Sequence, residues 1–162
     1  MTKSFSLPQS ERINSKKLVE RLFKGGASKA LSAFPLRMVY MAEERGEYDT
    51  AAAQMMVSVP KRYFKRAVKR NRVKRQVREA FRLNKHVLTD VLETIGCKTV
   101  SACFIWTDNS LRTQTEVEEK VRGLLIRLAE RMQREAAKEA EAAKEAAATK
   151  EAAATKEAEA TE

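Results

Sequence analysis

The spacing of apolar positions changes along the chain, and each spacing predicts a different element. Ile13, Leu18, Leu22 and Phe23 recur at helical intervals behind Asn14 and Ser15, and Gly25-Gly26 supplies a stop, which predicts a short first helix. Residues 34–40, FPLRMVY, and 54–59, QMMVSV, are short apolar runs separated by the polar stretch EERGEYD. They predict a strand pair joined by an exposed loop. Residues 99–107, TVSACFIWT, set Val100, Ala102, Phe104 and Trp106 against Thr99, Ser101, Cys103, Ile105 and Thr107. That alternation predicts a third strand, ended by the turn signal Asp108-Asn109, with Phe104 and Trp106 in the core.

Thr115 and Glu118 have capping-box spacing, and Val117, Val121, Leu124, Leu125, Leu128 and Met132 then form a helical stripe that can pack on the sheet. After Arg134 the apolar side chains shrink to alanine, and KEAAAT recurs with a period of six from Lys144 to Lys156. Such a tail can be helical, yet it has nothing large to bury. The domain is therefore expected at residues 1–134, with residues 135–162 an Ala/Glu/Lys-rich appendage of low complexity.

Charge sharpens this division. The whole chain of 162 residues carries a formal +10, but residues 135–162 hold eight Glu and four Lys, net −4, which leaves +14 for the body. A body that basic predicts a polyanionic partner. Length allows one ordinary domain with a sizeable core. The two cysteines, Cys97 and Cys103, lack CxxC spacing and there is one histidine, His86, so neither a disulfide framework nor a zinc site is expected. No apolar run approaches a membrane span and the N-terminus has no signal-like apolar core, which predicts a soluble, reduced, cytoplasmic protein without a membrane partner.

Positive charge is densest in residues 65–82, KRAVKRNRVKRQVREAFR, where nine of eighteen side chains are Lys or Arg and only Glu79 is acidic. On a helix, Val73, Val77, Ala80 and Phe81 fall on one stripe, while Asn71, Arg72, Lys74, Arg75, Arg78 and Arg82 spread over the opposite arc. A solvated face usually mixes signs for i, i+4 pairing. Here Arg70, Lys74 and Arg78 repel one another unless an anion lies among them, and a phosphate backbone is the obvious anion. Arginine can hold phosphate in bidentate fashion or stack on a base. Asn71, central to the arc, can donate to a phosphate or 2′-hydroxyl or bind a hydrated cation; the plainer alternative is that it caps a helix that starts after Lys69 or Arg70.

The stretch AVKRNRVKRQVREAFR (67–82), preceded by SVPKR (58–62), resembles the signature of the protein component of bacterial ribonuclease P, and ERINSKKLVERLFKGG and FPLRMVY are similar to that family in the same order. The resemblance covers roughly residues 8–132. It implies an α/β two-layer sandwich, like a domain of a ribosomal protein, with about four strands and the signature helix in a left-handed βαβ crossover, although right-handed crossovers are the general rule. It also implies RNA-facing roles for Arg70, Asn71, Arg72, Lys74, Arg75 and Arg78, with Lys61 and Arg62 as the preceding basic pair; Arg66 and Lys69 of the same basic run are RNA-binding candidates with them. The family's partners are a catalytic RNA and precursor tRNA, whose single-stranded 5′ leader lies in a cleft between the first helix and the sheet; Phe23 fits its aromatic positions and Tyr40 more loosely, although the spacing of Phe23 from Leu18 and Leu22 also suits core packing. Where the family often has a further aromatic, this chain has Val19, so weaker leader stacking is expected.

Hydrolysis by two metals needs clustered acidic ligands, and the chain has only three aspartates, Asp49, Asp90 and Asp108, none in a paired motif. His86 reads as a surface or capping residue. No catalytic residue is expected in the protein. The resemblance implies instead that the RNA subunit performs the chemistry and binds most of the Mg2+, with none held tightly by a protein that is monomeric in the complex. A ribosomal or ribosome-assembly RNA-binding protein is the alternative, and a DNA-binding basic helix a more distant one, lacking a dimerisation heptad or helix-turn-helix pair.

Overall fold

The computed structural model describes residues 7–44, 46, 51–96 and 98–160. The first helix, α1 (Lys16–Lys24), opens where the Leu18 amide donates to the Ser15 hydroxyl at 3.4 Å, and it ends at Gly25 with Gly26 at φ 72°. That left-handed residue is the stop the Gly-Gly pair predicts. Four strands, β1 (Lys29–Ala33), β2 (Leu36–Glu44), β3 (Ala53–Ser58) and β4 (Lys98–Trp106), form one sheet in the order β1-β2-β4-β3. β2 is antiparallel to β1 and β4, and β3 is parallel to β4.

The expected pairing of residues 34–40 with 54–59 is thereby corrected, because β4 lies between them, with Trp106 opposite Leu36 and Phe104 opposite Val57. The reason lies in β4 itself: every residue from Val100 to Phe104 is buried, and only a central strand covered on both faces can hide such a run. Most of the predicted connecting loop falls outside the described residues. The β3-to-β4 connection carries α2 (Ala67–Asn84) and α3 (His86–Ile95), and α4 (Gln114–Ala160) follows β4. The sequence reading predicts neither β1 nor α3.

Strand alternation sorts the side chains into two layers of core. Leu36, Met38, Met55, Val57, Ala102, Phe104 and Trp106 share the main core with Val73, Val77, Ala80 and Phe81 of α2, Leu88 and Leu92 of α3, and the apolar stripe of α4. On the other face of the sheet Leu22 of α1 packs with Met41 and Cys103. Burial there pushes the Cys103 thiol up to about 12. Because the thiolate is the reactive form, alkylation of Cys103 at pH 8 should proceed only when α1 lifts away or the chain unfolds. Mass-spectrometric labelling should find it protected in native protein and modified in denaturant; rapid native labelling would mean that α1 does not cover it.

The capping box also differs from expectation. It forms between Thr113 and Glu116, with the Glu116 amide donating to Thr113 Oγ1 at 3.3 Å and the Thr113 amide to Glu116 Oε2 at 3.1 Å, instead of between Thr115 and Glu118. Two Thr-x-x-Glu frames overlap here, and the earlier one places Gln114 where its Nε2 donates to the Gln76 carbonyl at 3.2 Å. From there α4 continues unbroken to Ala160. Glu135 pairs with Lys29, and Glu139 Oε2 with Lys98 Nζ at 3.0 Å, so the first turns past Arg134 touch β1 and β4 through charge. Exposed pairs of this kind contribute about 0 to 1 kcal/mol each. Truncation after Arg134 should therefore cost less than about 2 kcal/mol in a denaturant titration, and a larger loss would show that the tail packs on the domain.

Candidate nucleic-acid interface

Helix α2 begins at Ala67, behind Arg66, whose side chain supplies no cap. Arg70 supplies local order instead: its Nη1 donates to the carbonyls of Phe64 and Lys65, each at 2.8 Å, and so ties the preceding turn to the helix. Asn71 consequently lies inside the helix and is exposed, which removes the capping role. Val73, Gln76, Val77, Ala80 and Phe81 are buried as a stripe, leaving Arg72 and Arg75 exposed and Lys74 and Arg78 half-buried on the outer arc. Lys61, Arg62, Arg66 and Lys69 are exposed around the helix start, with the Arg62 guanidinium 4.9 Å from the centroid of the Tyr63 ring.

The arc opens onto a groove of about 780 Å³, whose walls include Arg12, Asn71, Arg72, Arg75, Gln76 and Arg78. Arg12 enters because residues 7–13 run beside the β3 edge: the Ile13 amide donates to the Met55 carbonyl at 3.1 Å and Gln54 Nε2 to the Ser10 carbonyl at 3.0 Å. Lys85 Nζ fastens the same segment to the far end of α2 by donating to both Glu11 oxygens at 2.6 and 2.8 Å. Burial, and next the Arg12 charge, lower the proton affinity of Arg78. Two guanidinium groups thus share a partly desolvated wall. Glu79, also on that wall, is already engaged: Arg82 donates to its two oxygens at 2.9 and 2.6 Å, and this hydrogen bonding holds its carboxyl below the ordinary range. The groove is left strongly cationic, suited to a phosphate chain.

Arg12, Gln76 and Gln114 are polar groove residues that sequence reasoning missed. Arg12 lies outside any periodic segment and its proximity to Arg78 is purely tertiary. Gln76 marks the border between the apolar stripe and the basic arc; its Nε2 donates to the Arg112 carbonyl at 2.9 Å.

The two aromatic candidates part company. Phe23 is 48% exposed at the end of α1, so its ring is not core. Tyr40 is 2% exposed, and its hydroxyl accepts from Arg131 Nη1 at 3.1 Å beneath α4. Its assignment to a base-stacking cleft is corrected: Tyr40 shares strand parity with Leu36 and Met38, which turns the ring to the inner face. On the outer face, beside α1, Val39, Met56 and Ile105 are only partly buried.

Among the described residues no three His, Cys, Asp or Glu side chains come together as a metal site. Asp108 Oδ2 accepts from Arg112 at 3.1 and 3.0 Å, Asp90 is exposed on α3, and Asp49 lies outside the described residues. His86 is exposed at the first position of α3. No helix among the described residues is long and apolar enough to cross a membrane.

A family model described as Ribonuclease P matches residues 7–129. The chain belongs to the ribonuclease P protein family. The ribonuclease P protein component of Porphyromonas gingivalis is 42% identical over 135 residues, covering 83% of this chain and 95% of that relative. The corresponding component from Chlorobaculum tepidum is 38% identical over 88 residues, 54% of this chain and 56% of the relative. Of solved structures, the RNase P protein of Thermotoga maritima superimposes with a TM-score of 0.55 at 24% identity, over 72% of this chain and 96% of that one. A Staphylococcus aureus RNase P protein mutant with defective mRNA degradation activity gives 0.54 at 16% identity, over 75% and 89%. The mixed α/β architecture on a four-stranded sheet is the fold of these ribonuclease P proteins.

Proposed function

We propose that this ribonuclease P protein is the subunit that assists a catalytic RNA in the endonucleolytic removal of the 5′ leader from precursor tRNA in the cytoplasm. The observation that carries the reading is the groove along α2, where Arg12, Arg72, Arg75 and Arg78 meet with the neighbouring carboxylate of Glu79 already taken by Arg82. Such a surface gains an anion without displacing an internal partner. The catalytic RNA is its occupant in this reading, with Lys61, Arg62, Arg66, Lys69, Asn71 and Lys74 extending the contact. Arg70 contributes by holding the turn before the helix. The single-stranded leader crosses the outer sheet face beside α1, where Phe23 offers a ring to a base and Val39, Met56 and Ile105 a partly open apolar floor.

In this reading the protein is a monomer in the complex, and Mg2+, whose phosphoryl chemistry needs ligands holding two ions about 4 Å apart, is held mainly by the RNA. The protein improves the use of those ions by neutralising phosphate repulsion nearby.

RNA-free protein should cleave no precursor tRNA at any Mg2+ concentration. Added to the catalytic RNA, it should lower the Mg2+ needed for cleavage and favour precursor over mature tRNA. Shortening the leader to one nucleotide should remove most of that preference, and Phe23→Ala should weaken it in the same direction. Mg2+-dependent cleavage by RNA-free protein, lost on replacing an aspartate, would overturn the accessory role. Copurification with ribosomal RNA in place of the catalytic RNA would favour a ribosome-assembly function.

A further inference from the structure

Phe34, in the turn between β1 and β2, is 60% exposed, more than Phe23 at 48%. The turn is held: the Thr107 amide and hydroxyl donate to the Pro35 carbonyl at 2.9 and 3.0 Å. The Arg112 guanidinium lies over the Phe34 ring, 5.2 Å from its centroid. That guanidinium is itself fixed, since Nε and Nη2 donate to Asp108 Oδ2 at 3.1 and 3.0 Å. With Arg112 over the ring and the residue still 60% exposed, Phe34 keeps surface available to a further partner.

This stack adjoins the α2 groove. The Arg112 carbonyl accepts from Gln76 Nε2 at 2.9 Å, and Gln114 Nε2 donates to the Gln76 carbonyl at 3.2 Å; both glutamines line the groove. We infer that Phe34 and Arg112 form a stacking platform for an unpaired base of the catalytic RNA whose backbone lies along α2. An ordered ring backed by a cation gives any base a π face, next to charges that hold the adjoining phosphates. A protein partner would want a contiguous apolar patch. Phe34 offers none: its flanking Ser32 and Arg37 are polar and exposed, Pro35 and Leu36 are buried, and its nearest ring partner is a guanidinium. The platform is separate from the outer sheet face beside α1, where Phe23 serves the leader.

The inference rests on the proposed binding of the catalytic RNA by α2, so the test carries a control for that reading. Affinity of the full-length protein for the catalytic ribonuclease P RNA, without precursor tRNA, is measured across salt for wild type, Phe34→Ala, Phe34→Leu, Phe34→Trp and the Arg72→Ala/Arg75→Ala pair. Phe34→Ala and Phe34→Leu should each lose about tenfold with an unchanged salt slope, and Phe34→Trp should bind like wild type, because stacking needs a ring and releases no counterion. All three should melt with wild type, since the side chain is exposed. If the arginine pair flattens the slope while Phe34→Ala binds as tightly as wild type, the platform is refuted and the α2 interface stands. If wild type does not bind this RNA, or the arginine pair leaves the slope unaltered, the α2 reading falls and the platform with it.

Discussion

Phe81→Ala should destabilise the fold by about 3 to 5 kcal/mol and abolish RNA binding through unfolding alone. Phe81 is 1% exposed and meets Phe104 of the central strand edge to face, with ring centroids 6.3 Å apart and planes at 64°. Its truncation removes a ring that α2 places against the sheet, and Val73, Val77 and Ala80, each fully buried on the same stripe, cannot close the gap without moving the helix. The basic arc faces outward only because this stripe faces inward. Arg75→Ala, two turns away on the exposed side, should leave the melting temperature within about a degree or two, since exposed substitutions fall within ±0.5 kcal/mol. A Phe81→Ala protein that melts like wild type would contradict the helix face on which the whole interface is built.

The orientation of α2 was legible in the sequence because two properties coincide there: an apolar period near 3.6 and a one-signed charge distribution. α1, β4 and the α4 stripe were legible for similar reasons. β1 was not, since KALSA holds a single large buried side chain, Leu31, and a five-residue edge strand takes its pairing from β2 more than from its own pattern. α3 had a readable signal in Val87, Leu88, Val91, Leu92 and Ile95, masked by its position directly behind the long basic helix, from which only Lys85 separates it. Strand order was hidden because neighbours in sequence usually pair, and here a parallel strand arriving forty residues later than β3 takes the place between. In the candidate site, the arc residues were readable from spacing and family likeness. Tyr40 was misplaced although the parity of Leu36 and Met38 already assigned it inward. Arg12 and the Phe34–Arg112 stack carry no local signature at all, because both arise where separate segments meet.

Replacing Arg72, Arg75 and Arg78 together by Ala should weaken binding of the catalytic RNA at least about a hundredfold and flatten the log affinity against log salt slope by about two to three units, near one unit or slightly less per phosphate contact. The free protein should not suffer. Arg78 is partly desolvated beside Arg12 and makes no ion pair among the described residues, so without an anion its charge is held at an electrostatic disadvantage, as its lowered proton affinity indicates. Removing that charge should leave stability unchanged or slightly raised. Anions should act in the opposite direction: sulfate, which can sit between Arg12 and Arg78, should raise the melting temperature of wild type more than that of the single variant Arg78→Met at equal ionic strength. A surface built for folding would lose stability and keep its salt slope when these arginines are cut back. A surface built for a polyanion should show the reverse pair of changes, and measuring both on the same variants separates the two.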